Sequence, residues 1–206
     1  MCGAESRAVH ARISPLAALL PHAHPSARAS VGRTLRLFGA PALDFAAKAG
    51  IRVIPLRRSQ RYADASNALR RLGAAVDDWP APPAGLFVVE ERAVYLRSRS
   101  PMTVAHEFGH ALDCALGGGV YRSTTEPAVR SLFEAARDFV TPYAATAIDE
   151  YFAEALRAYV EANDAASCWP KATRARLRLV DPHLYDFVMN LFSSGFNNET
   201  NSTRFQ

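Results

Sequence analysis

The sequence has no uninterrupted run of about 18 apolar residues, the length that a membrane-spanning helix needs. We therefore predict that the chain is not an integral membrane protein and has no membrane partner. Cysteine is scarce, with 3 residues in 206, and an odd, sparse set is unlike the dense, even pattern of a disulfide-stapled domain. This scarcity predicts a reducing compartment and a cytoplasmic location; a secreted or delivered effector is the alternative.

The two ends of the sequence carry weak targeting signals. A short apolar piece at residues 13–20 follows two arginines, but prolines interrupt or bound it, unlike a secretory signal. Formal glycosylation acceptors at Asn198 and Asn201 have little weight without such a signal. We divide the chain into an N-terminal extension over residues 1–30, with disorder as one alternative, a single domain over 31–193, and a polar, disordered tail over 194–206.

The chain is mildly basic, with a formal net charge of +4 and a pI near 9.2. A basic surplus favours anionic partners. The arginines, however, are scattered along the sequence, and no nucleic-acid-binding motif accompanies them. We therefore expect no nucleic-acid partner. Polyanion binding is a minor alternative, which steeply salt-dependent binding would support.

Hydrophobic periodicity and turn residues predict an α+β domain in which strands precede most of the helices. The expected fold is a small N-terminal mixed sheet with a hairpin, followed by a mainly helical C-terminal part. The predicted strands are 51–56, 86–89 and 93–97, the last two forming the hairpin. The predicted helices are 34–49, 64–72, one that begins near Pro101 or Thr103 and ends before Gly117, 126–140, 147–162, 171–179 and 182–191.

The third of these helices contains the motif His106-Glu107-x-x-His110. Positions four apart share a helical face, so the two histidines present their imidazoles to one point, a candidate zinc site. Glu107 lies about 100° round the helix from His106, where its carboxylate can take a proton from water. Gly109 leaves room for a substrate or a neighbouring strand. Since three fixed positions match by chance in about one chain in a few hundred, two polar surface histidines are the alternative.

A catalytic zinc takes three protein ligands and leaves one position open, so His106 and His110 need a partner. The metzincin pattern is excluded, because Asp113 and Leu116 occupy the positions of its Gly and His. Asp113 lies a turn further along the helix, which favours support of a ligand over direct ligation. Cys114 is a further candidate ligand, although a buried, inert cysteine is the better interpretation.

Glu150 and Glu154 are four residues apart on the predicted helix 147–162, so their carboxylates share one face. The alternative is a solvated charged face, which Arg157 and Glu161 would continue. The histidine motif favours a metal site.

The combination of His106 to Asp113, Tyr143 and the segment 149–155 closely resembles the peptidase domain of anthrax toxin lethal factor. The clostridial Pro-Pro endopeptidases belong to the same group. The resemblance is strong over residues 101–160 and weaker for the strands before them and for residues 181–187. It implies a zincin-like metallopeptidase domain, which we place over residues 31–193.

The resemblance also implies roles for individual residues. The zinc ligands would be His106, His110 and Glu150. Glu107 would be the general base, and Tyr143, seven residues before Glu150, would assist at the oxyanion or the leaving group. The remaining carboxylate, Glu154, would support a ligand from behind.

We predict a Zn²⁺-dependent endopeptidase that cleaves a peptide or protein substrate with metal-activated water and Glu107 as general base. The strand Ala93 to Leu96 could hold an extended peptide by strand addition. The alternative is a catalytically silent, zinc-stabilised interaction module. The substrate-recruiting domains of lethal factor have no counterpart here, so its substrate and delivery are not carried over. The sequence leaves the oligomeric state open.

Overall fold

The computed structural model describes residues 13–168 and 170–196. Residues 1–12 and 197–206, with both glycosylation acceptors, lie outside the described residues, and what the sequence predicts for them stays a prediction. Within the described ranges, no helix combines the length and apolar character that crossing a membrane requires.

Three N-terminal helices, α1 (Pro15–Leu19), α2 (Pro25–Leu35) and α3 (Gly39–Lys48), precede the sheet. The predicted single helix over 34–49 is wrong, because a 3₁₀ turn follows α2 and Gly39 adopts a φ of +80°. Helix α1 and the first half of α2 also fall within the proposed N-terminal extension. Leu19 and Leu20 are fully buried there and belong to the main hydrophobic core.

The sheet has three strands, β1 (Arg52–Pro55), β2 (Gly85–Val88) and β3 (Ala93–Leu96), in the order β1-β3-β2. The strands β2 and β3 form the predicted antiparallel hairpin, and β1 runs parallel to β3, so the sheet is mixed. Because β3 is paired on both sides, the prediction that it receives a peptide strand is wrong. The outer position next to the motif helix belongs to β2.

Two short helices, α4 (Tyr62–Ala65) and α5 (Asn67–Leu72), replace the single helix predicted over 64–72. Ser66 separates them, and its hydroxyl accepts the Leu69 N–H at 3.1 Å as the N-cap of α5. These helices cover one face of the sheet and form a small second apolar cluster with it.

The motif helix is α6 (Pro101–Leu116), and its ends follow the sequence signals closely. Ser100 caps it by accepting the Thr103 N–H at 3.2 Å, Pro101 occupies the first turn, and Gly117 follows the last residue. Phe108, on the side of the helix opposite His106, is fully buried. The helices that follow are α7 (Arg122–Thr125), α8 (Pro127–Ala135), α9 (Ile148–Tyr159), α10 (Arg174–Val180) and α11 (Pro182–Asn190).

Helix α8 is shorter than the predicted helix 126–140, because Ala136 turns to an extended conformation with ψ of 136°. The chain then runs through Thr141 to a 3₁₀ turn, Tyr143–Ala145, before α9 begins. This irregular segment brings Tyr143 next to α6 and α9.

Helices α6 and α9 pack very closely where Gly109 faces Ala153. A Cβ atom on Gly109 would lie 3.1 Å from both the Cα and the carbonyl oxygen of Ala153, tighter than most real contacts. The space beside the histidines is thus filled by a helix, where the sequence suggested a substrate or a strand. This close approach lets side chains of α6 and α9 meet at one point.

Candidate metal and active site

Two histidines of α6 and one glutamate of α9 form a triangle of donor atoms. The Nε2 atoms of His106 and His110 are 3.2 Å apart. The Oε2 atom of Glu150 lies 3.0 Å from the first and 3.1 Å from the second. These three residues could together hold a metal ion.

The triangle has the dimensions of a tetrahedral zinc site. Ligand atoms about 2.0–2.1 Å from zinc and separated by the tetrahedral angle lie about 3.3–3.4 Å from one another. The observed edges of 3.0 to 3.2 Å are close to that value. Two imidazoles and one carboxylate are also a donor set typical of catalytic zinc, with the fourth position left for water or substrate. The residues present therefore fit the ion.

The charges around the triangle also favour a cation. Burial alone lowers the pKa of His106, but hydrogen bonds to Glu150 and Glu154 raise it to about 10. Burial would raise the pKa of Glu150, yet hydrogen bonds from both histidines hold it well below its usual range. The carboxylates thus stabilise a positive charge close to the point where the three donor atoms converge.

Glu154 holds His106 from the side away from the triangle. Its Oε1 atom lies 2.9 Å from His106 Nδ1, which is the position for a hydrogen bond that orients a metal-binding imidazole. Thr141 and Arg157 also donate to this carboxylate. Burial raises the pKa of Glu154, but the hydrogen bonds from His106 and Arg157 outweigh it and lower the pKa to about 2.

The sequence left open that Glu150, Glu154, Arg157 and Glu161 form a solvated charged face of α9. Two of these residues are not solvated. Glu154 is 3% exposed and Arg157 only 2%. Their charges are paired inside the protein, and only Glu161 of the proposed face is exposed.

Glu107 lies beside the triangle, packed against the first residue of β2. Its side chain is buried, and a Cβ on Gly85 would come within 2.5 Å of Glu107 Cγ, so this position has room only for glycine. Burial raises the pKa of Glu107, an effect that His106 and His110 offset only in part. A backbone hydrogen bond from Phe87 further fixes the carboxylate.

Tyr143 covers the other side of His106. Its ring centroid lies 5.4 Å from that of His106, and its hydroxyl donates to Glu150 Oε1 at 3.0 Å. Burial and the charge of Glu150 raise its pKa, so the hydroxyl keeps its proton and remains a donor. The side chain is 44% exposed, which leaves it free to contact a bound molecule.

The other candidate ligands lie outside the triangle. Asp113 is fully buried and accepts hydrogen bonds from the Ser123 N–H at 2.8 Å and hydroxyl at 2.5 Å. Burial raises the pKa of Asp113 to about 6 despite these bonds. Its contacts join α6 to α7, and its support of a metal ligand stays a prediction. Cys114 is 1% exposed and belongs to the hydrophobic core.

A cavity of about 290 Å³ opens beside the triangle. Apolar atoms of Pro83, Ala84 and Met102 line one part of it, and Glu107 and Tyr143 line another. The sequence did not predict that Pro83, Ala84 and Met102 would line a cavity here, nor that Thr141 would contact Glu154. The contact between Arg157 and Glu154 could have been predicted, since residues three apart on a helix are neighbours.

Comparison with known proteins gives a structural likeness alone. No family model matches the sequence, and no curated protein matches it either. Among solved structures, the chain is similar to the Pro-Pro endopeptidase PPEP-2 from Paenibacillus alvei, with a TM-score of 0.62 and 21% identity. The match covers 86% of this chain and 100% of that one. At this identity it establishes a shared α+β fold, and the specific likeness to lethal factor stays a prediction.

Proposed function

We propose that this chain is a zinc-dependent endopeptidase, with His106, His110 and Glu150 as the metal ligands. One observation carries the proposal: a buried carboxylate, Glu107, adjoins a triangle of donors with zinc-like dimensions at the wall of an open cavity. The fold shared with a Pro-Pro endopeptidase supports a peptide as substrate.

The chemistry is divided between the ion and the side chains. Zinc, when bound, supplies a Lewis acid that polarises a carbonyl and lowers the pKa of water to about 7. Glu107 accepts the proton of the attacking water and returns it to the leaving nitrogen. A group that takes up and then releases a proton works best when its pKa lies near the operating pH. Burial raises the pKa of Glu107 in that direction, which suits both transfers.

The substrate would pair with the outer edge of β2. The Arg97 N–H donates to the carbonyl of Ala84 at 2.9 Å. Since hydrogen bonding alternates along an antiparallel pair, the main-chain groups of Gly85 and Phe87 then point away from β3. Phe87 already contacts Glu107 there. An extended peptide that added to this edge would pass directly beside the general base.

Replacing Tyr143 by phenylalanine is expected to lower kcat roughly 10²-fold, the usual loss when one donor to a developing oxyanion is removed. The hydroxyl would leave Glu150 and donate to the carbonyl oxygen as that oxygen gains charge. Zinc content should not change, because the tyrosine is not one of the three ligands. Steady-state kinetics and elemental analysis on the same preparation measure both quantities.

Tyr185→Phe is the matched control, since Tyr185 packs against Tyr159 on another part of the surface. An unchanged kcat in Tyr143→Phe would remove the hydroxyl from the mechanism. A loss of zinc in that variant would instead assign it to holding Glu150.

Cleavage of a peptide library by the zinc-loaded protein tests the proposed function. Peptides that contain adjacent prolines belong in the first set, because the structural neighbour is a Pro-Pro endopeptidase. We expect defined internal cuts that a chelator stops and zinc restores. Full zinc occupancy without cleavage of any peptide would instead favour the silent, zinc-stabilised interaction module.

A further inference from the structure

Arg157 is a buried cation, and each of its three guanidinium nitrogens donates to another residue of the chain. It is 2% exposed and is the largest of the fully buried side chains among the described residues. Its Nε and Nη2 atoms each donate to Glu154 at 2.7 Å. Its Nη1 atom donates to the carbonyl of Ala162 at 3.2 Å and to Asn163 Oδ1 at 3.3 Å. A guanidinium is buried at acceptable cost only when it is paired in this way.

The paired carboxylate connects this cation to the metal site. Glu154 Oε1 faces both Arg157 Nε and His106 Nδ1, and Oε2 accepts from Arg157 Nη2 and the Thr141 hydroxyl. Four donors therefore surround the two oxygens. A carboxylate held on every side cannot rotate, so the position of Oε1 fixes the plane of the His106 ring.

The second histidine has no equivalent support. His110 Nδ1 is buried and has no hydrogen-bond partner among the described residues. Its ring is held by packing, with the Tyr121 ring centroid at 5.7 Å. Within the described part of the chain, the hydrogen bond between His106 Nδ1 and Glu154 is therefore the polar contact that orients an imidazole from a residue outside the donor triangle.

We propose that Arg157 is a positioning residue for the metal site, which holds Glu154 so that His106 keeps Nε2 directed at the ion. The inference rests on the zinc site of the proposed function. Arg157 also offsets the charge of Glu154, which leaves Glu150 as the carboxylate whose charge faces the ion. Neither task needs contact between Arg157 and the substrate.

The planar guanidinium is suited to this task in a way that an ammonium is not. Two parallel N–H donors match the two carboxylate oxygens and set the plane of Glu154 as well as its distance. Lysine at this position would keep the charge and lose the second parallel bond. The variant Arg157→Lys therefore separates orientation from charge compensation.

The test compares zinc affinity in wild type, Arg157→Lys and Thr141→Val by competition with a chromogenic chelator. We expect the dissociation constant of Arg157→Lys to rise about 10- to 100-fold, the range found when support behind a metal-binding histidine is lost. Thr141→Val removes one donor to Glu154 and should shift it in the same direction by less. The visible absorption of the cobalt-substituted proteins should change in parallel.

Leu20→Ala is the control for a purely structural effect. It removes buried carbons from the core near α1, far along the chain from the network, and should lower the melting temperature of the metal-free protein. Its zinc affinity and cobalt spectrum should match those of wild type. An Arg157→Lys protein that melts early but keeps wild-type affinity and spectrum would overturn the inference.

Three further outcomes also decide the matter. If Arg157→Lys does not fold, an unchanged zinc affinity in Thr141→Val overturns the inference, and a weakened one supports it. A wild-type protein that binds no zinc would overturn the proposed function itself. Zinc binding that is normal in wild type and identical in both variants would overturn the role of Arg157 alone.

Discussion

Glu107→Gln is expected to lower the rate of peptide cleavage by about 10²- to 10⁴-fold, the range that a positioned general base contributes. Glutamine keeps the shape of the side chain, so it still fits against Gly85 and the start of β2. Its amide cannot accept the proton of the attacking water. Because Glu107 lies beside the donor triangle and outside it, zinc content should remain that of wild type.

Measurement of kcat/KM and of zinc per chain on one preparation checks both parts of this prediction. Glu134→Gln is the matched control, since Glu134 is an exposed residue of α8 and should be silent in both assays. Cleavage at the wild-type rate would remove Glu107 from the mechanism. Loss of zinc would show that it acts as a ligand.

Removal of zinc is expected to lower the melting temperature by about 8–16 °C. Zinc at a free concentration about a thousandfold above its dissociation constant stabilises the folded state by about 4 kcal/mol. For a chain of this size, each kcal/mol corresponds to about 2–4 °C. The ion would join α6 to α9 through the two histidines and Glu150.

Calorimetry with and without a chelator measures this shift, and added zinc should restore the original value. His110→Ala is the control, because the loss of a ligand should make the melting temperature nearly independent of chelator. A wild-type melting temperature that the chelator does not change would contradict a structural contribution of the ion.

The motif helix could be predicted closely because its signals are local. Ser100 and Pro101 define its start and Gly117 its end, and each acts through backbone hydrogen bonds within one turn. The spacing of His106 and His110 follows from the helical repeat. The hairpin could be predicted for the same reason, since two short apolar runs flank the polar turn Glu90-Glu-Arg92.

Features that depend on packing between distant segments could not be predicted in this way. The face of α9 that bears Glu154 and Arg157 has the composition of a solvated surface, and its packing against α6 and the segment of Thr141 buries it. The order of the strands could likewise not be predicted from local sequence. It depends on the pairing of β1 with β3, which places β3 in the centre. We therefore propose that a substrate adds to β2, the outer strand.

The contact of Thr141 with Glu154 also depends on packing between distant segments. Thr141 lies in an irregular segment where the sequence favoured a continued helix, and its hydroxyl meets Glu154 only because that segment packs beside α9. Gly109 correctly predicted that a neighbour approaches this helix closely. The expectation of a substrate or a strand was wrong, because the neighbour is helix α9. The lack of a side chain at Gly109 serves the contact with Ala153, which brings Glu150 within reach of the histidines.

Zinc content measured by elemental analysis on wild type, Glu150→Ala and Asp149→Ala tests the central claim most directly. We expect about one zinc per chain in wild type and in Asp149→Ala, and far less in a Glu150→Ala protein whose circular dichroism is unchanged. Equal zinc in all three would contradict the assignment of Glu150 as the third ligand. No zinc in wild type, even after reconstitution, would contradict the metallopeptidase account as a whole.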